Sequence, residues 1–259
     1  MIWRSRSFRR PPVPYRGEYL MRLDKYLSEA GFGSRDAVKR LIRSGRVAVA
    51  GITCPAPETK VPEDAAVFLD GKPVHYEEFQ YFMLHKPAGF LTARTDQKTP
   101  VVMELLETPE NRKRLGETLI RPDVAPVGRL DKDTEGLLLL TNDGALAHRL
   151  LSPKNEVPKT YYLRTETPIP TEAPEILLKP VAFSDFTSKP ARLELLGERE
   201  ARITVTEGKF HEVKRLMHHV GADVVYLRRE SFGPLTLGGL ERGQIRMLTE
   251  EERASLNAI

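Results

Sequence analysis

A single cysteine, Cys54, and a single tryptophan, Trp3, stand among 259 residues. One thiol cannot close an intramolecular disulfide or supply a cysteine-cluster metal site. No uninterrupted apolar run approaches the roughly 18 residues that suggest a membrane span. The opening stretch "MIWRSRSFRRPPVPYRGEY" is basic and proline-rich, without the apolar segment of a secretory signal. Together these absences point to a cytoplasmic protein. What remains is ordinary globular composition, 40% apolar and 29% charged, in a chain long enough for one large core or two smaller ones.

The net charge of +4 is unevenly spread. Residues 1–20 hold five Arg and one Glu, so they carry the whole excess themselves. Residues 21–50 hold seven Lys or Arg against three Asp or Glu, a second local excess. Polyanion binding needs such a localised patch more than a high isoelectric point; a merely solvated basic face is the alternative.

Residues 1–20 lack apolar periodicity, and "RRPPVPYRG" opposes helix and strand alike, which predicts a disordered basic arm. Met21 opens a more protein-like stretch and is an alternative translation start. From there Leu23, Tyr26, Leu27 and Ala30 recur at helical spacing. A second helix follows with Ser34 as N-cap and Gly45 closing it. Its apolar side is Ala37, Val38, Leu41 and Ile42, and Arg35, Lys39, Arg40 and Arg43 fall on the other. "RVAVAG" and "AAVFLDGKPV" read as short strands. A small αα-β module is therefore expected over 21–78.

A second domain is expected over 81–254. Strands are predicted at "QYFMLHK", "GLLLLTN", "KTYYLRTE", "ARLELLGE" and "ARITVTEG". Helices are predicted at "PVVMELL", "ALAHRLLS" and "HEVKRLMHHVG". Clustered strands separated by single helices argue for an α+β fold with a mostly antiparallel mixed sheet.

The segment "VGRLDKDTEGLLLLTNDG" sets Arg129, Lys132 and the carboxylates Asp131, Asp133 and Glu135 just before four consecutive leucines. It reads as a loop, a buried strand and a turn at Asn142, Asp143 and Gly144. A partly desolvated carboxylate there needs a cation or a donor to stay ionised, and Arg129 is two residues from Asp131. Spacing alone does not choose between Asp131, Asp133 and Glu135, and on these residues alone a structural turn with a salt bridge outweighs a catalytic site. His211, His218 and His219 lack the Glu of a His-Glu-x-x-His zinc pattern. Cys54, in a turn-rich segment, reads as inert. Tyr162 reads as core, with Tyr161 on the opposite face of its strand.

Two resemblances sharpen this reading. "RLDKYLSEAGFGSRDAVKRLIRSGRVAVAG" resembles a small RNA-binding module shared with a small-subunit ribosomal protein, the alpha-L motif. It implies phosphate contacts from Arg22, Arg35, Lys39, Arg40, Arg43 and Arg46. "GRLDKDTEGLLLLTNDG" resembles the signature of RNA pseudouridine synthases, in the branch containing RsuA. "HKPAGFLT", "KTYYL" and "GKFHEVKRLMHHVG" resemble three further segments of that family, in order. The likeness implies Asp131 as catalytic carboxylate, Tyr161 against the target base, Lys214 pairing with the carboxylate and Val213 as pocket floor. Glu212 stands where relatives usually carry Gln.

The chemistry so implied fits these residue types. Uracil leaves its sugar, turns and rejoins through carbon, an isomerisation that needs no metal or organic cofactor. An ionised carboxylate, flanked here by Arg129 and Lys214, serves as nucleophile or as partner to the sugar cation. An aromatic platform holds the free base. Flipping the uridine from structured RNA costs a few kcal/mol, which a separate RNA-binding module offsets. "SPKNEVPKTYYL" is closer to the branch acting on 16S rRNA. The alternatives are a 23S rRNA synthase of the same branch or a non-catalytic rRNA-binding assembly factor. The expected partner is ribosomal RNA or a ribosomal assembly intermediate, with no membrane and a monomeric enzyme.

Overall fold

The computed structural model describes residues 19–54, 56–62, 65–74, 76–116 and 118–259. The arm expected over 1–20 lies outside these residues as far as position 18; its last two residues instead begin a strand. The chain divides into two compact units, Met1–Glu77 and Glu78–Ile259.

In the first unit, β1 (Tyr19–Arg22) pairs antiparallel with β4 (Lys60–Pro62) and leads directly into α1 (Leu23–Glu29). The helix expected from Met21 therefore starts two residues later. α2 (Arg35–Arg43) is capped by the Ser34 hydroxyl, which accepts from the Ala37 amide at 3.3 Å. Beyond it Gly45 takes the left-handed conformation (φ +74°) that closes helices. β2 (Val47–Val49), β3 (Ile52–Thr53), β5 (Val67–Leu69) and β6 (Lys72–Val74) make a four-stranded antiparallel sheet in the order β3-β2-β5-β6. Leu23, Leu27, Val38, Ile42 and Val47 are fully buried between helices and sheet.

The second unit is built on a nine-stranded sheet. Its strands are β7 (Tyr81–Lys86), β8 (Ala125–Pro126), β9 (Glu135–Thr141), β10 (Lys159–Thr165), β11 (Arg192–Gly197), β12 (Glu200–Val205), β13 (Val224–Phe232), β14 (Leu235–Thr236) and β15 (Ile245–Met247). The main order is β11-β12-β10-β13-β9-β7-β15, with β14 on β13 and β8 on β9. The β13–β9 pair is parallel and the other named pairs are antiparallel. The fold is α+β with a mostly antiparallel mixed sheet.

Five helices pack around it: α3 (Pro109–Leu115), α4 (Gly144–Leu151), α5 (Ala173–Leu177), α6 (Glu212–His219) and α7 (Glu250–Asn257). The segment expected as a helix at 100–106 is a 3₁₀ turn, Val102–Glu107.

The four leucines sit on β9, the strand joining the two halves of the sheet. Leu138 and Leu140 enter one core with Phe82, Leu84 and Leu163; Leu137 and Leu139 enter the other with Met83, Leu146 and Phe232. All four are 0% exposed. Each contributes about 1.5–3 kcal/mol of burial, so the strand fixes the loop that precedes it.

The parallel junction has one special requirement. Gly136 has φ +111°, and a Cβ there would lie 2.3 Å from the Arg229 carbonyl oxygen. Only glycine lets β13 approach so closely. Arg229 is itself buried, its Nε donating to the Leu137 carbonyl at 2.7 Å and its guanidinium 5.0 Å from the Phe232 ring centre.

Candidate active site

The loop before β9 is held by the segment after β7. Lys86 is completely buried, and its ammonium lies within hydrogen-bond distance of four carbonyls: Thr134 at 2.8 Å, Pro87 and Asp131 at 3.0 Å, Lys132 at 3.3 Å. The Gly89 amide donates to Lys132 O at 2.7 Å. The Thr92 hydroxyl accepts from the Leu130 amide at 3.1 Å and donates to the Leu130 carbonyl at 2.8 Å. Burial pushes the Lys86 ammonium down to about 8, against the opposing pull of Asp133, Asp131 and Glu135. "KPAGFLT" is thus a clamp on the backbone of residues 130–134.

That clamp separates three carboxylates that spacing left equivalent. Glu135 turns inward, accepting from the Tyr226 hydroxyl at 2.7 Å and pairing with Arg242 at 3.0 Å. Asp133 is exposed and held by both oxygens on Lys214, at 2.7 and 2.9 Å. Burial alone would raise its carboxyl, but the Lys214 ammonium outweighs this and keeps it below the usual range. Asp131 lines the pocket that opens beside this loop, and Asp133 and Glu135 do not line it.

The pocket holds about 440 Å³ of empty space, its open mouth included. Leu130, Tyr161, Val205, Val213 and Leu227 give it an apolar lining, and Arg129, His211 and Lys214 bring cations or potential cations. Tyr161 on β10 and Val213 on α6 are both buried, at 8% and 5% exposure. Lys214 stands 3.3 Å from Oδ2 of Asp131, and His211 Nε2 stands 3.6 Å from Oδ1. A carboxylate, an aromatic ring, an apolar floor and two flanking nitrogens thus meet around one small cavity. Such a set can hold a planar base and place a fixed negative charge beside a reacting sugar.

A family model described as RNA pseudouridylate synthase matches residues 80–219, which supply all of the pocket lining but Leu227. The chain belongs to the RNA pseudouridine synthase family. An S4 domain model matches residues 21–67 of the first unit. An uncharacterized RNA pseudouridine synthase of Bacillus subtilis, YtzG, is 44% identical over 92% of this chain and 98% of its own. The ribosomal small subunit pseudouridine synthase A of Escherichia coli is 38% identical over 91% of this chain and 100% of its own. A crystal structure of a pseudouridylate synthase superposes with a TM-score of 0.62 at 30% identity, covering 91% and 99% of the two chains.

Within this synthase several expectations need correction. Arg129 lines the pocket, but its side chain is exposed and forms no ion pair with Asp131; Lys214 and His211 supply the nearby nitrogens instead. Lys214 is shared, and its closer partner is Asp133. Tyr162 is half-buried rather than core. It lies edge-on to Tyr226 at 6.0 Å, with the Arg228 guanidinium 5.3 Å from its ring centre.

The three histidines diverge. His211 faces the pocket, His218 pairs with Asp223 at 2.7 Å, and His219 lies edge-on to Phe183. Cys54 is half-buried, which pushes its thiol up.

The S4 unit presents its six basic candidates unequally. Arg22 is tied to Asp24 at 2.9 Å, Lys39 to Asp36 at 3.3 Å, and Arg46 to Asp70. Arg35, Arg40 and Arg43 are exposed on α2 with no ion pair among the described residues.

Sequence reasoning missed two contributors to the site. Lys86 reads as a strand-end lysine, and only the fold reveals the four carbonyls around it. His211 reads from its spacing only as a weak metal-ligand candidate; its place inside the signature segment "GKFHEVKRLMHHVG" is the available signal.

Proposed function

We propose that this enzyme isomerises a uridine to pseudouridine in small-subunit 16S ribosomal RNA, with Asp131 as its catalytic carboxylate. The observation that carries the reading is the Asp131 carboxylate beside Tyr161, Val213 and Lys214 in one pocket, in a chain of this family. The bond between uracil N1 and C1′ breaks, the base turns, and C5 bonds to C1′ while its proton is lost and N1 gains one. The clamped backbone of residues 130–134 keeps Asp131 fixed, so little reorganisation is needed as charge develops. Tyr161 faces the base, Val213 supports it, and Lys214 balances the carboxylate. Arg129, exposed and unpaired at the rim, is available for the RNA backbone.

The 16S assignment rests on the likeness to small-subunit synthases. The module over 21–78 holds the RNA through phosphates, led by Arg35, Arg40 and Arg43 on α2, unpaired among the described residues, with Lys39, Arg22 and Arg46 joining where phosphate displaces their carboxylate partners, while the domain over 81–254 performs the reaction. Among the described residues no helix is long and apolar enough to cross a membrane. A monomeric, cytoplasmic enzyme acting on rRNA or an assembly intermediate fits this arrangement. Asp131→Asn should abolish turnover while leaving RNA affinity nearly intact. Surviving activity would remove Asp131 from its role.

A further inference from the structure

Phe210 is 72% exposed, the most exposed of the large apolar side chains among the described residues. It is also the one beside the catalytic pocket. Its ring stacks on the His211 imidazole, with centres 3.9 Å apart and planes 16° from parallel. His211 holds a left-handed backbone (φ +51°), a region few non-glycine residues occupy. The next contact from that imidazole is Asp131, at 3.6 Å. One face of Phe210 is therefore covered by a ring that reaches the catalytic carboxylate, and the rest of it meets water.

An aromatic left in solvent forfeits its burial free energy unless a ligand covers it. The surroundings narrow the ligand. The preceding residues, Gly208 and Lys209, are exposed, and a Cβ placed on Gly208 would meet nothing within 4 Å. No contiguous apolar patch extends from Phe210 along this loop, as a docked protein would require. An exposed ring beside a lysine, whose ammonium lies 5.8 Å from the Phe186 ring centre, suits a nucleobase and its phosphate.

The geometry points to Phe210 as a stacking platform for a base of the RNA substrate next to the flipped uridine, with His211 as the ring beneath it. This rests on the uridine-isomerising reading above. A flipped nucleotide leaves its neighbour with an uncovered face, and Phe210 offers a replacement close to Asp131. The subsite takes an unpaired or unstacked base and is tolerant of its identity, because every base has a stacking face.

The test uses full-length enzyme in single-turnover reactions on a 16S rRNA transcript made with [5-³H]uridine, with a 23S transcript in parallel. Bond formation at C5 releases the label, so enzyme titration separates the half-saturating concentration from the limiting rate. Phe210→Ala and Phe210→Leu should each raise the half-saturating concentration by about 5- to 150-fold, the range for losing one stacked base. Phe210→Trp, which restores a stacking face, should recover it to within a few-fold. Leucine matters because it keeps apolar bulk but cannot stack, so a packing role would spare it. Melting temperatures of all variants should match wild type, as expected for an exposed side chain. If wild type releases label and the leucine variant binds as tightly as wild type or tryptophan, the platform is refuted and the enzymatic reading stands. If wild type releases no label from either RNA, the enzymatic reading fails and the platform falls with it.

Discussion

Replacing Glu212 by glutamine probes a buried carboxyl pair at the back of the pocket. Glu212 and Glu207 are 5% and 7% exposed and interact with one another, with the charge of Lys159 acting on Glu212. Glu212 Oε2 accepts from the Lys209 amide at 3.1 Å, and Glu207 Oε1 accepts from the Lys189 amide at 2.7 Å. Burial, joined by the charge of Glu207, raises the Glu212 carboxyl from 4.5 to about 7; the Lys209 amide and Lys159 oppose the rise without cancelling it.

Between those two pH values the folded chain keeps a proton that the unfolded chain has released. Stability is then fully present below the unfolded value and declines as pH rises through the folded one, at about 1.4 kcal/mol per unit. Allowing for the coupling to Glu207, the loss amounts to roughly 1–3 kcal/mol by pH 8. Lys86 and Lys159, each held near 8 by burial, titrate at the upper end of this range and not between 4.5 and 7.

Glutamine keeps an oxygen for the Lys209 amide, offers its NH₂ to Glu207 and never ionises. Urea unfolding followed by circular dichroism, from pH 4.5 to 8, should show Glu212→Gln more stable than wild type by about 1–3 kcal/mol at pH 8. The gap should shrink steadily towards pH 4.5. A gap independent of pH, or a wild type that is the more stable at pH 8, would refute the shared-proton arrangement.

Two further outcomes follow from the same structure. Lys86→Met removes the donor shared by the Thr134, Pro87, Asp131 and Lys132 carbonyls; unfolding stability should fall by at least about 2 kcal/mol, and turnover should fall with it. Unaltered urea midpoints would deny the clamp. Arg35→Glu with Arg43→Glu should weaken RNA binding and flatten its salt dependence, the log–log slope losing roughly 0.7–0.9 per phosphate contact removed. Filter binding across a salt series measures this, and an unchanged slope would leave α2 a structural role alone.

Much of the catalytic unit was legible because its pattern is local. Alternation of Leu137–Leu140 into two cores needs only a strand with both faces covered, and period-2 reading finds such a strand. The turn at Asn142–Gly144 likewise announces itself, and Asp143 caps α4 there by accepting from the Leu146 amide at 2.9 Å. β13 escaped notice because Arg228 and Arg229 interrupt its apolar pattern. Its place beside β9 depends on Gly136 opposite Arg229, 93 positions apart in the chain, a pairing that no local pattern reveals.

The site followed the same division. Asp131, Tyr161, Val213 and Lys214 lie on segments with recognisable signatures, and the fold brings them to one pocket. The electrostatic partners did not follow sequence distance. Arg129, two residues from Asp131, lines the same pocket without pairing with it, whereas Lys214 and His211, some eighty positions later, stand within 4 Å. Proximity along a loop predicts little once a clamp such as Lys86 sets the direction of each side chain. Likewise the basic excess of the first unit was readable as charge, but internal carboxylates occupy Arg22, Lys39 and Arg46, which only the structure could reveal.

The most direct test is pseudouridine mapping of 16S and 23S rRNA after incubation with the wild-type enzyme and with Asp131→Asn. The expected result is one new pseudouridine in 16S rRNA with wild type and none with the variant. The same site formed by both proteins would contradict the role of Asp131, and no site in either RNA, with assembly-stage particles included, would contradict the proposed activity.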